Sequence, residues 1–297
     1  MSQSEAFRDF IKPQAVFPFI VGCGRSGTTL LQAIFDSHPR MAVAFKSYFV
    51  QDLVATRDRY ENAGGFAAGA AVEYLVTHHC FTRWGIDQRL VQEVLESSQP
   101  QNLLQVLRMA FAVYAFSQGK TRYGDKSNRY ADGVNIKMLA ELFPEARFVH
   151  LIRDGRDVAL SYLDVEWGPK SFVEAAHKWK QRVQDAQNAG RALGEARYRE
   201  VRYEQVVENP EETLRGLCDF FQLEFHPEMF RYPERADRIA RPLRYAGSHD
   251  HLRLPVTKGL RDWRTQATPQ DVEGFESVAG DLLAELGYET LTRHRSP

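Results

Sequence analysis

An arginine set inside a glycine-rich turn is the first feature of this chain that could do chemistry. Residues 17 to 31 read FPFIVGCGRSGTTLL: an apolar run, a turn from Gly22 to Gly27, two threonines and the start of a helical pattern. That is the order of a strand, a phosphate loop and a helix. Gly22 and Gly27 are spaced as in the nucleoside-triphosphate loop G-x-x-x-x-G-K-[ST], but Thr28 stands where that motif requires lysine. The loop can still cradle an anion. Backbone N–H groups from Arg25 to Thr29 point toward it, the positive end of the following helix adds to the field, and glycine lets the backbone approach closely. Gly24, Arg25, Ser26, Gly27, Thr28 and Thr29 are therefore candidate binding residues. Arg25 supplies the cation in place of the lysine, and its fork of donors suits a tetrahedral phosphate or sulfate.

A second polar set follows the apolar run ARFVHLI at residues 146 to 152. It begins Arg153-Asp154-Gly155, at the carboxyl end of a strand, where α/β sheets bind their ligands. Arg153 and Ser161 lie eight apart, one leaving the strand and the other about two turns into the next helix. A guanidinium and a hydroxyl can thus reach one anion. Two oxyanion sites suit a nucleotide with phosphates at two places.

The elements that must position these residues follow from pattern. Leu30, Leu31, Ile34 and Phe35 share a helical face, and His38-Pro39 ends that helix. Residues 41 to 50 read as a short extended piece leading into a helix, and 66 to 119 are mostly helical. A helical insert of about 50 to 120 is expected to cover one side of the first loop, where an acceptor could be enclosed. His78 and His79, a pair on a helix, receive no chemistry. RYGDKSNRY, residues 122 to 130, reads as a polar turn before a helix over 134 to 143. The run at 146 to 152 suits a strand buried on both faces of a parallel sheet. A long helix over 171 to 193 and a short strand over 197 to 202, ended by Tyr203-Glu204, come next. Asn209-Pro210 caps a further helix, and the last runs from Thr268-Pro269 to Leu286 with Gly287 as its stop. Strands separated by helices predict an α/β fold, a parallel sheet flanked by helices. One domain over 1–297, with the helical insert, is the expected organisation.

With 297 residues, 43% of them apolar, the chain can bury a full core. A net charge of −1 implies no bulk attraction to nucleic acid or membrane. Cys23, Cys80 and Cys218 lack C-x-x-C spacing, so neither a disulfide framework nor a zinc site is indicated and a reducing compartment fits. Acidic residues precede the apolar part of the N-terminus and no run is long enough to span a membrane, so a cytoplasmic location is expected. Arg231, Arg235, Arg238, Arg241, Arg244 and Arg253 suit either an anionic acceptor or an ordinary solvated surface.

GCGRSGTTLL followed by FVHLIRDGRDVALSYL resembles the paired signature of the sulfotransferases that use 3'-phosphoadenosine 5'-phosphosulfate (PAPS) and share a P-loop-like α/β fold. The resemblance implies that residues 25 to 29 hold the 5'-phosphosulfate and that Arg153 and Ser161 hold the 3'-phosphate. The R-S-G-T-T-L-L wording is similar to the carbohydrate and tyrosylprotein enzymes and their bacterial relatives. RYGDKSNRY resembles the family's lysine loop, although Ser127-Asn128 replaces its proline-containing form, and this implies Lys126 as a second cation at the transferred group. VRYEQVVENPEET resembles the segment that brings a tyrosine, here Tyr203, near the nucleotide. VTKGLRDWR resembles the loop closing over the 3'-phosphate, through Lys258 and Gly259. No metal is implied.

One departure concerns proton transfer. Relatives often carry a glutamate after the His-Pro that ends the first helix, the expected general base; here Lys46 stands at that place. A protonated lysine accepts no proton. Asp125, His249 and His251 are alternative bases; a neutral Lys46, or catalysis by cations alone, are the other routes. The resemblance implies sulfuryl transfer to a small-molecule, saccharide or peptide acceptor through a hydroxyl or amine. The rival readings are a P-loop nucleotide kinase or NTPase, which the absent lysine opposes, and a cofactor-binding protein without turnover.

Overall fold

The computed structural model describes residues 14–237 and 250–291. Strand β1 (Phe17–Val21) leads into helix α1 (Thr28–Asp36) and strand β2 (Met41–Phe45). The insert follows: α2 (Phe49–Ala55), a hairpin of β3 (Glu61–Asn62) and β4 (Gly65–Phe66), then α3 (Ala68–Thr77), α4 (His79–Thr82), α5 (Gln88–Ser98) and α6 (Leu103–Phe116). The chain re-enters the sheet at β5 (Arg122–Lys126), passes through α7 (Gly133–Leu142) to β6 (Ala146–Ile152), and continues with α8 (Gly155–Leu163) and α9 (Phe172–Arg191). β7 (Tyr198–Arg202), α10 (Tyr203–Glu208), α11 (Pro210–Phe220), α12 (Trp263–Gln266) and α13 (Pro269–Glu285) follow, with short 3-10 turns between some of these elements.

The five long strands form a parallel sheet in the order β2-β5-β1-β6-β7. Both faces are covered, as the unbroken apolar runs require. Alternation along β1 sends Phe17 and Phe19 toward the insert, where they meet Phe49, Trp84 and Phe111, while Ile20 faces Leu31 and Ile34 of α1 and Leu214 of α11. Phe17 and Phe19 stack at 4.5 Å, and Phe19 stacks on Phe148 of β6 at 5.2 Å. A third cluster joins α8, α9 and α13 around Trp179 and Phe275.

Two expectations are corrected. The first five residues of RYGDKSNRY are strand β5, lying between β2 and β1, and not a turn. Gly124 makes this possible: a Cβ there would come within 2.9 Å of the Pro18 carbonyl oxygen on the adjoining strand. The polar residues that follow it, Asp125 and Lys126, are buried. β7 ends at Arg202, just before Tyr203-Glu204 as expected, and Tyr203 is the first residue of α10. Asn209 precedes Pro210 at a helix start as expected, yet its side chain makes no capping bond.

Because β1 sits between β5 and β6, their carboxyl ends lie side by side. The phosphate-loop turn, Lys126 and Arg153 are thereby delivered to one edge, where open α/β sheets bind ligands.

Candidate active site

The turn after β1 is built by close approach. A Cβ on Gly22 would lie 2.5 Å from the Leu151 carbonyl oxygen, and one on Gly24 would lie 2.6 Å from the Tyr162 hydroxyl. Gly27 has φ 87°, and a Cβ there would fall 2.4 Å from the Tyr203 ring. Arg25 itself takes φ 70°, a left-handed conformation that costs a non-glycine residue on the order of 1 kcal/mol or more and collects at functional sites. The Ser26 N–H closes the turn on the Cys23 carbonyl at 3.2 Å, and the Leu31 N–H donates to Gly27. The N–H groups of Thr28, Thr29 and Leu30 are thus the first-turn donors that lack an acceptor within a helix. The Ser26 hydroxyl is buried without a partner.

Around this turn the cations converge. Arg25 Nε donates to Ser161 Oγ at 2.9 Å, so the two sequence motifs meet directly. Burial pushes the Arg25 guanidinium down, and Arg153 and Arg261 push in the same direction. Arg153 lies 4.5 Å over the Tyr203 ring and 3.5 Å from the Asp157 carboxylate, and its Nε is buried with no partner. Burial drives Asp157 up to about 6, against the pull of Arg153. At the end of β5, Lys126 Nζ donates to Thr29 Oγ1 at 3.1 Å. Burial, with the charge of Lys46 beside it, drives Lys126 down to about 7. Asp125 is fully enclosed: its carboxylate accepts from the Ser47 hydroxyl and, at 2.8 Å, from the Lys126 N–H, while burial raises it to about 6.

The turn and the cations around it line a cavity of roughly 550 Å³. Gly24, Arg25, Gly27, Thr28, Thr29, Lys126, Arg153, Ser161 and Tyr203 all contribute to its wall. Ser26 does not; nor do Lys258 and Gly259, which are exposed, although their neighbours Thr257, Leu260 and Arg261 do. Of the alternative bases, His251 lines the cavity, Asp125 does not, and His249 lies outside the described residues. Lys46 lines it too, at φ 50°, with its N–H bonded to the Lys126 carbonyl at 3.2 Å. No Asp or Glu is in the wall among the described residues.

Sequence reading missed Tyr48, Arg83, Arg129, Trp167 and Tyr232, which also face the cavity. Only Arg129 had a signal, standing three residues past Lys126; the others come from elements with no motif. The arginine series from 231 onward does not reach the wall where it is described: Arg231 pairs with Glu234 at 2.8 Å and Arg253 with Asp237 at 2.6 Å. Arg238, Arg241 and Arg244 lie outside the described residues. His78, His79 and Cys80 bring ligand atoms within 4.8 Å of one another. Both His78 nitrogens are already engaged, Nδ1 with the Cys80 N–H at 3.1 Å and Nε2 with Asp52 at 3.1 Å.

Comparison with known proteins identifies the family and the fold. A model of the sulfotransferase family matches residues 19–227. The protein-tyrosine sulfotransferase of Drosophila melanogaster is 24% identical over 284 residues, covering 91% of this chain and 51% of its own length. The protein-tyrosine sulfotransferase 1 of Danio rerio is 24% identical over 286 residues, 91% of this chain and 72% of its own. The chain therefore spans about half of the fly relative and under three quarters of the fish one. Among solved structures, the sulfotransferase domain from the curacin biosynthetic pathway shares the fold, with a TM-score of 0.65 and 20% identity over 94% of this chain and 100% of that one.

Proposed function

Given that this chain belongs to the sulfotransferase family, we propose that it transfers a sulfuryl group from PAPS to a hydroxyl or amine acceptor. The observation that carries this reading is the shared cavity: both motif arginines and Lys126 line it, and no carboxylate does among the described residues. The residues also fit a nucleotide anion. Ser26 Oγ and Arg153 Nε are buried without partners, and three glycines bring bare backbone to the same turn.

Bound PAPS supplies the sulfuryl group and a stable bisphosphate leaving group. The first-turn N–H groups of α1, Arg25 and Lys126 hold the transferring end, and Arg153 with Ser161 holds the 3'-phosphate, while Tyr203 packs beside Gly27. Lys258 and Gly259 belong to a loop that reaches the cavity through its neighbours. The protein's contribution is positioning and fixed positive charge where negative charge builds. Asp125, enclosed beneath Ser47, positions the end of β5 and does not meet an acceptor. We read residues 14–237 and 250–291 as one domain, because insert residues such as Phe49 and Phe111 share a core with Phe17 and Phe19. No helix among the described residues is long and apolar enough to cross a membrane. A cytoplasmic location draws support from three buried free thiols.

Adenosine 3',5'-bisphosphate is expected to raise the melting temperature where ATP with magnesium does not. Arg25→Ala is expected to slow turnover on the order of 100-fold or more, while Arg153→Ala chiefly weakens nucleotide binding. Full transferase activity in Arg25→Ala, or preference for ATP, would remove the assignment. Tight bisphosphate binding with no turnover in a broad acceptor screen is the outcome expected of a binding protein, the reading that Lys46 keeps in view.

A further inference from the structure

We infer that the acceptor is a small molecule carrying an acidic group of its own, a carboxylate, phosphate or sulfate, held by Lys46, Arg83 and Arg129. This rests on the PAPS reading, because it starts from the cations that the donor leaves over. Arg25, Lys126 and Arg153 are accounted for by the sulfuryl group and the two phosphates. Lys46, Arg83 and Arg129 face the same cavity from the insert side and from the segment after β5. Burial raises the Cys80 thiol, and Arg83, Lys46 and Arg129 each oppose that rise, as cations on one side of the cavity would. Arg83 and Arg129 have no ion-pair partner among the described residues.

Their placement is structured. Lys46 reaches the cavity from a left-handed backbone, φ 50°, and the next residue is pinned through its hydroxyl to Asp125 and, at 3.0 Å, to the Tyr130 hydroxyl. Arg129 lies 3.8 Å over the Tyr48 ring, which also faces the cavity and limits where the guanidinium can go. Placing the unpaired Arg83 and Arg129 on the wall of one half-enclosed space costs self-repulsion, which an anion offsets. An acidic group on the acceptor supplies that anion and orients the hydroxyl toward Lys126. Size favours a small acceptor over a peptide. A cavity of roughly 550 Å³ is within the range that suits one drug-sized ligand, and the nucleotide must share it.

The test compares 4-hydroxyphenylacetate with its neutral amide as probes, by calorimetry on protein saturated with adenosine 3',5'-bisphosphate at low salt. The acid is expected to bind about tenfold tighter than the amide, a preference that salt weakens. Arg83→Gln combined with Arg129→Gln is expected to bring the two probes close to parity with bisphosphate affinity unchanged, which also shows that the variant folds. Arg129→Gln alone, on an exposed side chain, is expected to act in the same direction. Parity in the unaltered protein, binding of neither probe up to millimolar concentration, or a preference that survives the double variant overturns the proposal. So does binding of an acidic tyrosine peptide in preference to the small acid. Failure of the bisphosphate to bind sinks the donor reading instead; the acid and amide are then compared on the protein alone, where the same outcomes decide.

Discussion

Lys126 is a cation that the fold has made conditional. Burial and the neighbouring Lys46 charge bring it down to about 7, so a fraction of the free protein is neutral there near neutral pH. An anion next to its amine favours the protonated form and raises the folded value, so binding must take up a proton at and just above pH 7. The affinity for adenosine 3',5'-bisphosphate is therefore expected to be highest below about pH 7 and to fall as pH rises, by at most about tenfold per unit, until the bound-state value is passed. Titrations in buffers of different ionisation enthalpy measure the proton uptake directly. Lys126→Arg, charged throughout the range, is expected to flatten the profile. A flat profile in the unaltered protein would show that Lys126 is already charged without ligand. The residue beside it sharpens the point: Asp125 names itself in sequence as a candidate base, but in the fold its carboxylate is consumed by Ser47 and the Lys126 N–H.

At the scale of elements, the site is a strand-to-helix turn clamped by a second helix. Gly27 at φ 87° opens α1, and the ring of Tyr203, the first residue of α10, packs against it with no room for a Cβ. Gly27→Ala is expected to destabilise by about 1–3 kcal/mol through the strained backbone and the displaced ring. It is also expected to weaken nucleotide binding, since Tyr203 carries Arg153 over its face. Thermal melts and bisphosphate titrations check the two effects separately; a variant with unchanged melting temperature and unchanged affinity would show that the turn relaxes freely. β5 shows the opposite relation between an element and its local sequence. RYGDK has no apolar alternation, and it is a strand because Gly124 fits against Pro18 and because Asp125 and Lys126 find partners at the sheet's end.

At the scale of the molecule, the sheet edge is tied to the C-terminal helix through one buried charge. Arg156 is completely enclosed, pairing with Asp154 at 2.8 Å and with Glu276 of α13 at 2.7 Å, and lying 3.6 Å over the Trp263 ring. Asp154 also accepts from the Trp263 indole N–H at 3.1 Å. Arg156→Ala removes a buried guanidinium from between two carboxylates and is expected to cost about 3–5 kcal/mol in chemical denaturation; a loss under 1 kcal/mol would mean that water enters and takes its place. What the sequence by itself determined was whatever is local: the apolar run, the glycine spacing, the helix start at Thr268-Pro269 and the strand-then-arginine of residues 146 to 153. Each is set by periodicity or by backbone conformations that few residues can adopt. Tertiary structure alone decided β5, the meeting of Arg25 with Ser161 and the set of cations opposite the donor site. These depend on contacts between residues far apart in the chain, such as Arg25 and Ser161, 136 positions apart, and burial can make strand from a polar run that carries no local signal.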